Sequence, residues 1–185
     1  TLPANAWFSL DSLTMMTRHV AVVGVAAIGM TFVIIAAGID LSIGSMIALV
    51  TVVIAITLNK LVPEEATAIY FLIPVAAALA GVAMGAIGGA AQGFLITKLK
   101  VVPFIITLGG MLIFRGVAKG LSNQQTVSCP ETFLNSLLAD VHGTDMGWMI
   151  LPPGVWLFLV LAVIAACVLR YTRFGRHVFA IGSNE

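Results

Sequence analysis

The sequence predicts an all-α, polytopic membrane protein. Hydrophobic residues make up 60% of its 185 residues and charged residues only 9%, whereas soluble domains carry about 25% charged residues. A globule of this size would expose too much apolar surface to stay monomeric in water. The apolar residues run continuously instead of alternating, which disfavours a β-barrel. The composition therefore excludes a soluble enzyme and a disordered chain, and the net charge of +1 excludes a nucleic-acid-binding domain.

Five runs with few or no charges are long enough for transmembrane helices, since about 20 residues at 1.5 Å each cross about 30 Å of hydrocarbon. Asp40 separates the first two runs, Arg115 lies towards the end of the fourth, and Pro152-Pro153 marks the start of the fifth. The third run exceeds the bilayer thickness and requires tilt or extension. The predicted spans cover approximately residues 20–39, 43–60, 68–97, 101–120 and 150–170.

Lysine and arginine residues close to the spans predict the orientation, because short cytoplasmic loops are enriched in these residues. Lys98 and Lys100 follow the third span, and a second basic group lies within residues 170–177 after the fifth. Two spans separate the groups, so both are predicted to lie on the cytoplasmic side. The loop over 121–149 is then extracytoplasmic.

The stretch Gly38-Ile39-Asp40-Leu41-Ser42-Ile43-Gly44-Ser45 interrupts the apolar sequence between the first two spans. Either Asp40 or Ser42 caps the following helix, while the two glycines allow a sharp chain path. Alternatively, a carboxylate bordering the hydrocarbon lines a substrate pathway at a broken helix. Gln92 has the same two interpretations, as an interhelical hydrogen-bonding residue or a pathway residue. The pathway or broken-helix candidates are Gly38, Asp40, Ser42, Gly44 and Gln92.

Four glycines in the third span recur at intervals of four residues. They are Gly81, Gly85, Gly89 and Gly93. We predict that they form a groove that lets a neighbouring helix approach closely.

The sequence contains no catalytic constellation, no metal-ligand spacing and no phosphate-binding loop of the G-x-x-x-x-G-K-[ST] type. We therefore predict no enzymatic activity on this chain, and any ATP-driven step would require another polypeptide.

Several sequence blocks resemble the permease subunit of ribose-type monosaccharide ATP-binding cassette (ABC) importers. The first is Ala-Ile-Gly-Met-Thr-Phe-Val-Ile at 27–34, which leads into the Gly-Ile-Asp-Leu-Ser block at 38–42. The others are Lys-Leu-Lys-Val-Val-Pro-Phe-Ile-Ile-Thr-Leu-Gly at 98–109, Arg-Gly at 115–116, Thr-Arg-Phe-Gly-Arg at 172–176 and Ala-Ile-Gly-Ser-Asn-Glu at 180–185.

The resemblance implies a permease of roughly ten transmembrane helices, each about 20 residues long, of which this chain would be an internal five-helix segment. It implies a bacterial cytoplasmic (inner) membrane location, a second permease copy, an extracytoplasmic sugar-binding protein and cytoplasmic ABC ATPase subunits that bind ATP and Mg. No cofactor is then expected on this chain.

The resemblance also implies that the cytoplasmic segment coupled to the ATPase starts within 171–185. Its candidate coupling residues are Arg173, Gly175, Arg176, Gly182, Asn184 and Glu185. The alternative function is an ion-coupled secondary transporter or channel. It would require ion ligands within the membrane, and only Asp40 is a candidate between the first two uncharged runs.

Overall fold

A computed structural model describes residues 10–61, 72–130, 132 and 152–183. These residues form six α-helices and no strand. The helices are α1 (Leu10–Ile35), α2 (Ile43–Leu61), α3 (Leu72–Leu99), α4 (Pro103–Leu121), α5 (Pro153–Tyr171) and α6 (Arg173–Ser183). Helices α1 to α5 are long and apolar enough to cross a membrane. The prediction of an all-α membrane protein with about five transmembrane helices is therefore confirmed.

The ends of α1 differ from the predicted first span of 20–39. The helix begins at Leu10, because Arg18 and His19 lower the hydropathy of this stretch without opposing a helix; arginine is a good helix former. It ends at Ile35, although the uncharged run continues to Ile39. The absence of charge therefore delimits the apolar run but not the ends of the helix.

The backbone bends after α1 at Ala37, which has a left-handed φ of 56°. The sequence predicts that Gly38 and Gly44 allow the sharp path, but no glycine among the described residues has a positive φ. A left-handed residue after a helix is usually glycine, because a Cβ crowds the following carbonyl. Ala37 adopts this conformation with its Cβ present.

Residue contacts divide the chain into two compact units. One comprises Thr1–Ala37 with Leu134–Glu185, and the other comprises Gly38–Phe133. Helices α1, α5 and α6 belong to the first unit, and α2, α3 and α4 to the second.

In the second unit, α2 and α3 pack in antiparallel fashion. Leu58 near the end of α2 is buried with Ile73 and Ala77 near the start of α3, whereas Ser42 before α2 meets Gln92 towards the end of α3. Beyond α4, the chain is held near the end of α2, because the Asn59 side-chain amide donates a 2.7 Å hydrogen bond to the Ser128 carbonyl. Residues 131 and 133–149 of the predicted extracytoplasmic loop lie outside the described residues.

The glycines of α3 make uneven contacts. A Cβ at Gly81 would lie 2.7 Å from the Ile54 side chain, and one at Gly85 would lie 3.8 Å from Val50. In the described chain nothing lies within 4 Å of a Cβ at Gly89 or Gly93, so these two glycines do not share the contact with α2 that Gly81 and Gly85 make. Residues four apart drift by about 40° per step, because a turn has 3.6 residues. The packed face therefore continues through Gly88, not Gly89.

In the first unit, α5 follows the Pro152-Pro153 signal as predicted, with Pro153 as its first residue. A proline fits there because its missing N–H would have no partner inside the helix. Helix α5 packs against α1, where the Phe158 ring fills the space beside Gly24.

Candidate functional site

The turn before α2 is held by the side chain of Asp40. Its Oδ1 accepts hydrogen bonds from the backbone N–H of Ser42 and from the Ser42 hydroxyl, each at 2.7 Å. The first of these bonds closes an Asx turn. The Ser42 carbonyl then accepts the Met46 N–H at 2.8 Å, which begins α2. Asp40 thus fixes the position of Ser42, the residue whose carbonyl accepts the first hydrogen bond of α2.

Ser42 connects this turn to α3. Its Oγ lies 3.1 Å from Oε1 of Gln92, fifty residues away in the sequence. Ser42 is 1% exposed and Gln92 is 8% exposed, so both polar side chains are buried among apolar helices. Unsatisfied polar groups are unfavourable in such surroundings. The two residues were separate candidates in the sequence, and the structure brings them together.

Helix α4 completes the site with two residues one turn apart. The Thr107 hydroxyl is 3.2 Å from the carbonyl of Ile39 in the turn. Gly110 lies directly against the Gln92 amide, so that a Cβ at this position would overlap Nε2. We call Asp40, Ser42, Gln92, Thr107 and Gly110 the polar clamp. Thr107 and Gly110 were absent from the sequence-based candidates, and their only signal was a small or polar residue inside an apolar run.

The polar clamp lies inside the helical unit, away from the loop that joins α3 to α4. Gln92 precedes the end of α3 at Leu99 by seven residues, and Gly110 follows the start of α4 at Pro103 by seven. Seven residues correspond to about 10 Å along a helix. The turn before α2 therefore lies level with the interior of α3 and α4.

A cavity of about 360 Å³ adjoins the polar clamp between α2 and α4. Ser45 belongs both to its wall and to the surroundings of the clamp, because the Ser45 hydroxyl donates to the Ser42 carbonyl at 2.7 Å. Of the described residues that line the cavity, only Arg115 is charged. No acidic partner pairs with Arg115 in the part of the chain that the structure describes. The lining residues are Leu41, Gly44, Ser45, Ala48, Met111 and Arg115.

In the other unit, Thr172 joins α5 to α6. Its hydroxyl donates to the Val168 carbonyl at 2.6 Å and accepts from the Gly175 N–H at 3.2 Å. A Cβ at Gly175 would collide with the backbone carbonyl of Leu169. The chain consequently changes direction at a single extended residue, with one side chain capping both helices.

The packed face of α6 contains Gly175, Val178 and Gly182. Val178 is buried, and a Cβ at Gly182 would overlap the carbonyl of Ile35 at the end of α1. The Phe174 ring lies 6.2 Å from the Phe32 ring. Two coupling candidates, Gly175 and Gly182, are thus packing positions in this unit.

The opposite face of α6 is basic. Arg173, Arg176 and His177 are exposed. Asn184 and Glu185, the remaining coupling candidates, lie outside the described residues.

The chain is similar to known permeases along its whole length. Residues 12–185 match the family described as branched-chain amino acid transport system / permease component. The ribose import permease protein of Escherichia coli K12 is 37% identical over 186 residues, covering 100% of this chain and 54% of that protein. The ribose import permease protein of Bacillus subtilis is 37% identical over 178 residues, covering 92% and 48% of the two chains.

A third relative has a different sugar in its name. The fructose import permease protein of Rhizobium meliloti is 29% identical over 180 residues, covering 96% of this chain and 48% of that protein. No solved structure matches the chain. The chain spans about half the length of the curated relatives it matches. These similarities confirm the resemblance to ribose-type import permeases.

Proposed function

The chain belongs to the family of branched-chain amino acid transport system permease components, and from this membership we propose that it forms part of a monosaccharide-transporting ABC importer permease. The proposal draws on the names of its relatives, which import ribose or fructose. A ribose-like pentose or a hexose is the proposed substrate. ATP hydrolysis would occur on a separate ATPase subunit that binds ATP and Mg.

We propose that the cavity beside the polar clamp is part of the substrate pathway. Small-molecule sites occupy about 300–1,000 Å³ and combine apolar walls with a few polar groups, and the cavity of about 360 Å³ is at the small end of this range. Charged residues in membrane segments commonly face substrate paths. Arg115 and Ser45 would offer hydrogen bonds to sugar hydroxyls there. Gly38, Asp40, Ser42, Gly44 and Gln92 would shape the path at the broken helix.

We favour a sugar over an amino acid as the occupant of this cavity, although the family is that of branched-chain amino acid transport permeases. A zwitterionic amino acid needs a cationic group for its carboxylate and an acidic group for its ammonium. Among the described residues, the cavity is lined by Arg115 and by no acidic side chain, and Oδ1 of Asp40 already accepts two hydrogen bonds from Ser42. An uncharged polyol has no ammonium group that needs an acidic partner, and its hydroxyl oxygens can accept hydrogen bonds from the Arg115 guanidinium.

Helix α6 is the proposed start of the segment that couples to the ATPase. Its exposed Arg173 and Arg176 would contact the partner, while Gly175 and Gly182 hold the helix against α5 and α1. A displacement of α6 would therefore move the ends of both transmembrane helices. Asn184 and Glu185 would extend the same contact.

The proposed setting is the bacterial inner membrane, with the basic loops 98–100 and 170–177 in the cytoplasm. A sugar-binding protein would deliver substrate from outside. A second permease copy, identical or related, would form the other wall of the path.

Sugar uptake by cells tests this function. The full-length gene is deleted, and uptake of labelled ribose, fructose, a panel of other pentoses and hexoses, and leucine is measured with and without a plasmid copy. We expect the deletion to abolish uptake of one or more sugars, the plasmid to restore it, and leucine uptake to stay constant. Unchanged uptake of every sugar, or loss of leucine uptake alone, would overturn the proposal.

A further inference from the structure

The hydrogen-bond donors and acceptors of the polar clamp do not match one another. The Ser42 hydroxyl has one proton, but two acceptor atoms lie within reach of it, Asp40 Oδ1 at 2.7 Å and Gln92 Oε1 at 3.1 Å. At the same time, Nε2 of Gln92 is buried and has no hydrogen-bond partner among the described residues. The clamp thus contains one acceptor too many beside an unused donor.

Turning the Gln92 amide by half a rotation removes both problems. The oxygen and nitrogen of a side-chain amide have nearly the same shape, so their assignment follows from the surrounding hydrogen bonds. In the turned orientation, Nε2 donates to Ser42 Oγ, and the Ser42 proton goes to Asp40. The oxygen then faces Gly110, where a Cα–H group is a weak but acceptable partner.

We propose that Gln92 is a positioning residue whose amide N–H donates to Ser42, which in turn donates to Asp40. This chain of hydrogen bonds runs in one direction, from α3 to the carboxylate in the turn before α2. It fixes the start of α2, where Gly44 and Ser45 in the first turn line the cavity. Gln92 would therefore set the cavity geometry without lining it. The transport consequence rests on the function proposed above, but the hydrogen-bond direction does not.

Gly110 has a defined place in this arrangement. The Gln92 amide occupies the space in which a Cβ at residue 110 would lie. We infer that Gly110 is needed because of Gln92, and that shortening residue 92 removes the need. The neighbouring Gly109 is a matched control, because nothing in the described chain lies within 4 Å of a Cβ there.

The direction of the hydrogen bond is tested with Gln92→Glu and Gln92→Met in the purified full-length permease in lipid nanodiscs. Thermal unfolding midpoints are measured between pH 5 and pH 8. Glutamate keeps the length of the side chain but donates only when it is protonated. We expect the Gln92→Glu midpoint to approach that of wild type at the acidic end and to fall as pH rises, whereas the Gln92→Met deficit stays constant relative to wild type. A Gln92→Glu midpoint equal to that of wild type at every pH would overturn the donor role, and so would one as low as that of Gln92→Met at every pH.

The steric part is tested by combining substitutions and measuring both the midpoint and transport of the sugar identified by the uptake panel. We expect Gly110→Ala to lower transport by at least about fivefold, as the loss of a buried hydrogen bond would, and Gly109→Ala to leave it unchanged. In a Gln92→Ala background, Gly110→Ala should cause no further loss in either measurement. Additive losses in the double variant would overturn the inference. The midpoints report this result even if the substrate proves not to be a sugar.

Discussion

The hydroxyl of Thr172 accepts a hydrogen bond from the backbone N–H of Gly175 at 3.2 Å while donating to α5. We expect Thr172→Val, which keeps the shape but lacks the hydroxyl, to lower the free energy of unfolding by about 1 kcal/mol. Thr172→Ser should retain most of the stability. Unfolding of the full-length permease in mixed micelles checks the difference. Equal stability of the Val and Ser variants would show that the double cap contributes nothing.

Gly182 should tolerate no side chain. In Gly182→Ala the added Cβ meets the Ile35 carbonyl, and overpacking of this kind costs about 1–3 kcal/mol. We expect lower stability and weaker substrate-stimulated ATP hydrolysis in the assembled importer. Gly29→Ala in α1 is the control, since nothing lies within 4 Å of a Cβ there in the described chain. A Gly182→Ala variant as active and stable as that control would contradict the packing.

Asp40 should act through its oxygen atom more than through its charge. Asparagine offers an equivalent Oδ1 and caps helices about as well as aspartate, so Asp40→Asn is expected to keep transport and stability near wild type. Asp40→Ala should lose about 1 kcal/mol of stability. Sugar uptake and unfolding measurements on both variants test this. A transport-dead Asp40→Asn with normal stability would instead assign the role to the negative charge.

Arg115 should affect substrate affinity. Replacing it with glutamine removes a charged donor from the cavity wall, and hydrogen bonds to charged groups contribute about 1.5–3 kcal/mol. We expect the half-saturating sugar concentration for uptake to rise by about tenfold or more. Lys119→Gln, one turn further along the same helix and absent from the cavity wall, should have no such effect. A parallel change in both variants would point to general loss of α4 orientation.

Ala37 offers a stabilising substitution. A left-handed conformation costs an L-residue about 1–2 kcal/mol, whereas glycine loses about 0.5–1 kcal/mol of conformational freedom on folding. Ala37→Gly is therefore expected to raise the free energy of unfolding by about 0.5–1 kcal/mol. Ala36→Gly, which is not left-handed, should lower it. Chemical unfolding of the two variants tests this prediction. A higher free energy of unfolding for Ala36→Gly than for Ala37→Gly would contradict the left-handed conformation of Ala37.

Hydropathy was sufficient to predict the number of spans, because crossing hydrocarbon imposes a minimum apolar length. It was insufficient for the ends of α1, since Arg18 interrupts an apolar run without interrupting a helix. The left-handed backbone of Ala37 cannot be predicted from hydropathy either. Glycine preference is a statistical tendency, and surrounding packing can hold another residue in the same conformation.

The interaction between Asp40 and Ser42 can be predicted from the sequence. The contacts of this turn with α3 and α4 cannot. Asp40 and Ser42 are two residues apart, so turn chemistry alone predicts that they interact. Gln92 lies fifty residues further along, and its contact with Ser42 depends on how α3 packs against α2. No feature of the sequence identifies Gly110 as a site residue, because its importance comes entirely from the Gln92 amide that lies against it.

The packed face of α3 runs through Gly81, Gly85 and Gly88 and ends at Gln92. Small residues let two helices come close in several alternative registers, since sliding by a turn replaces one glycine with another. A single buried polar residue removes that degeneracy, because only one register pairs it. Closeness and alignment of α2 and α3 are thus encoded by different residues. Substitution of Gln92 would leave the glycine contacts of α3 in place and would remove the polar pair that selects one register.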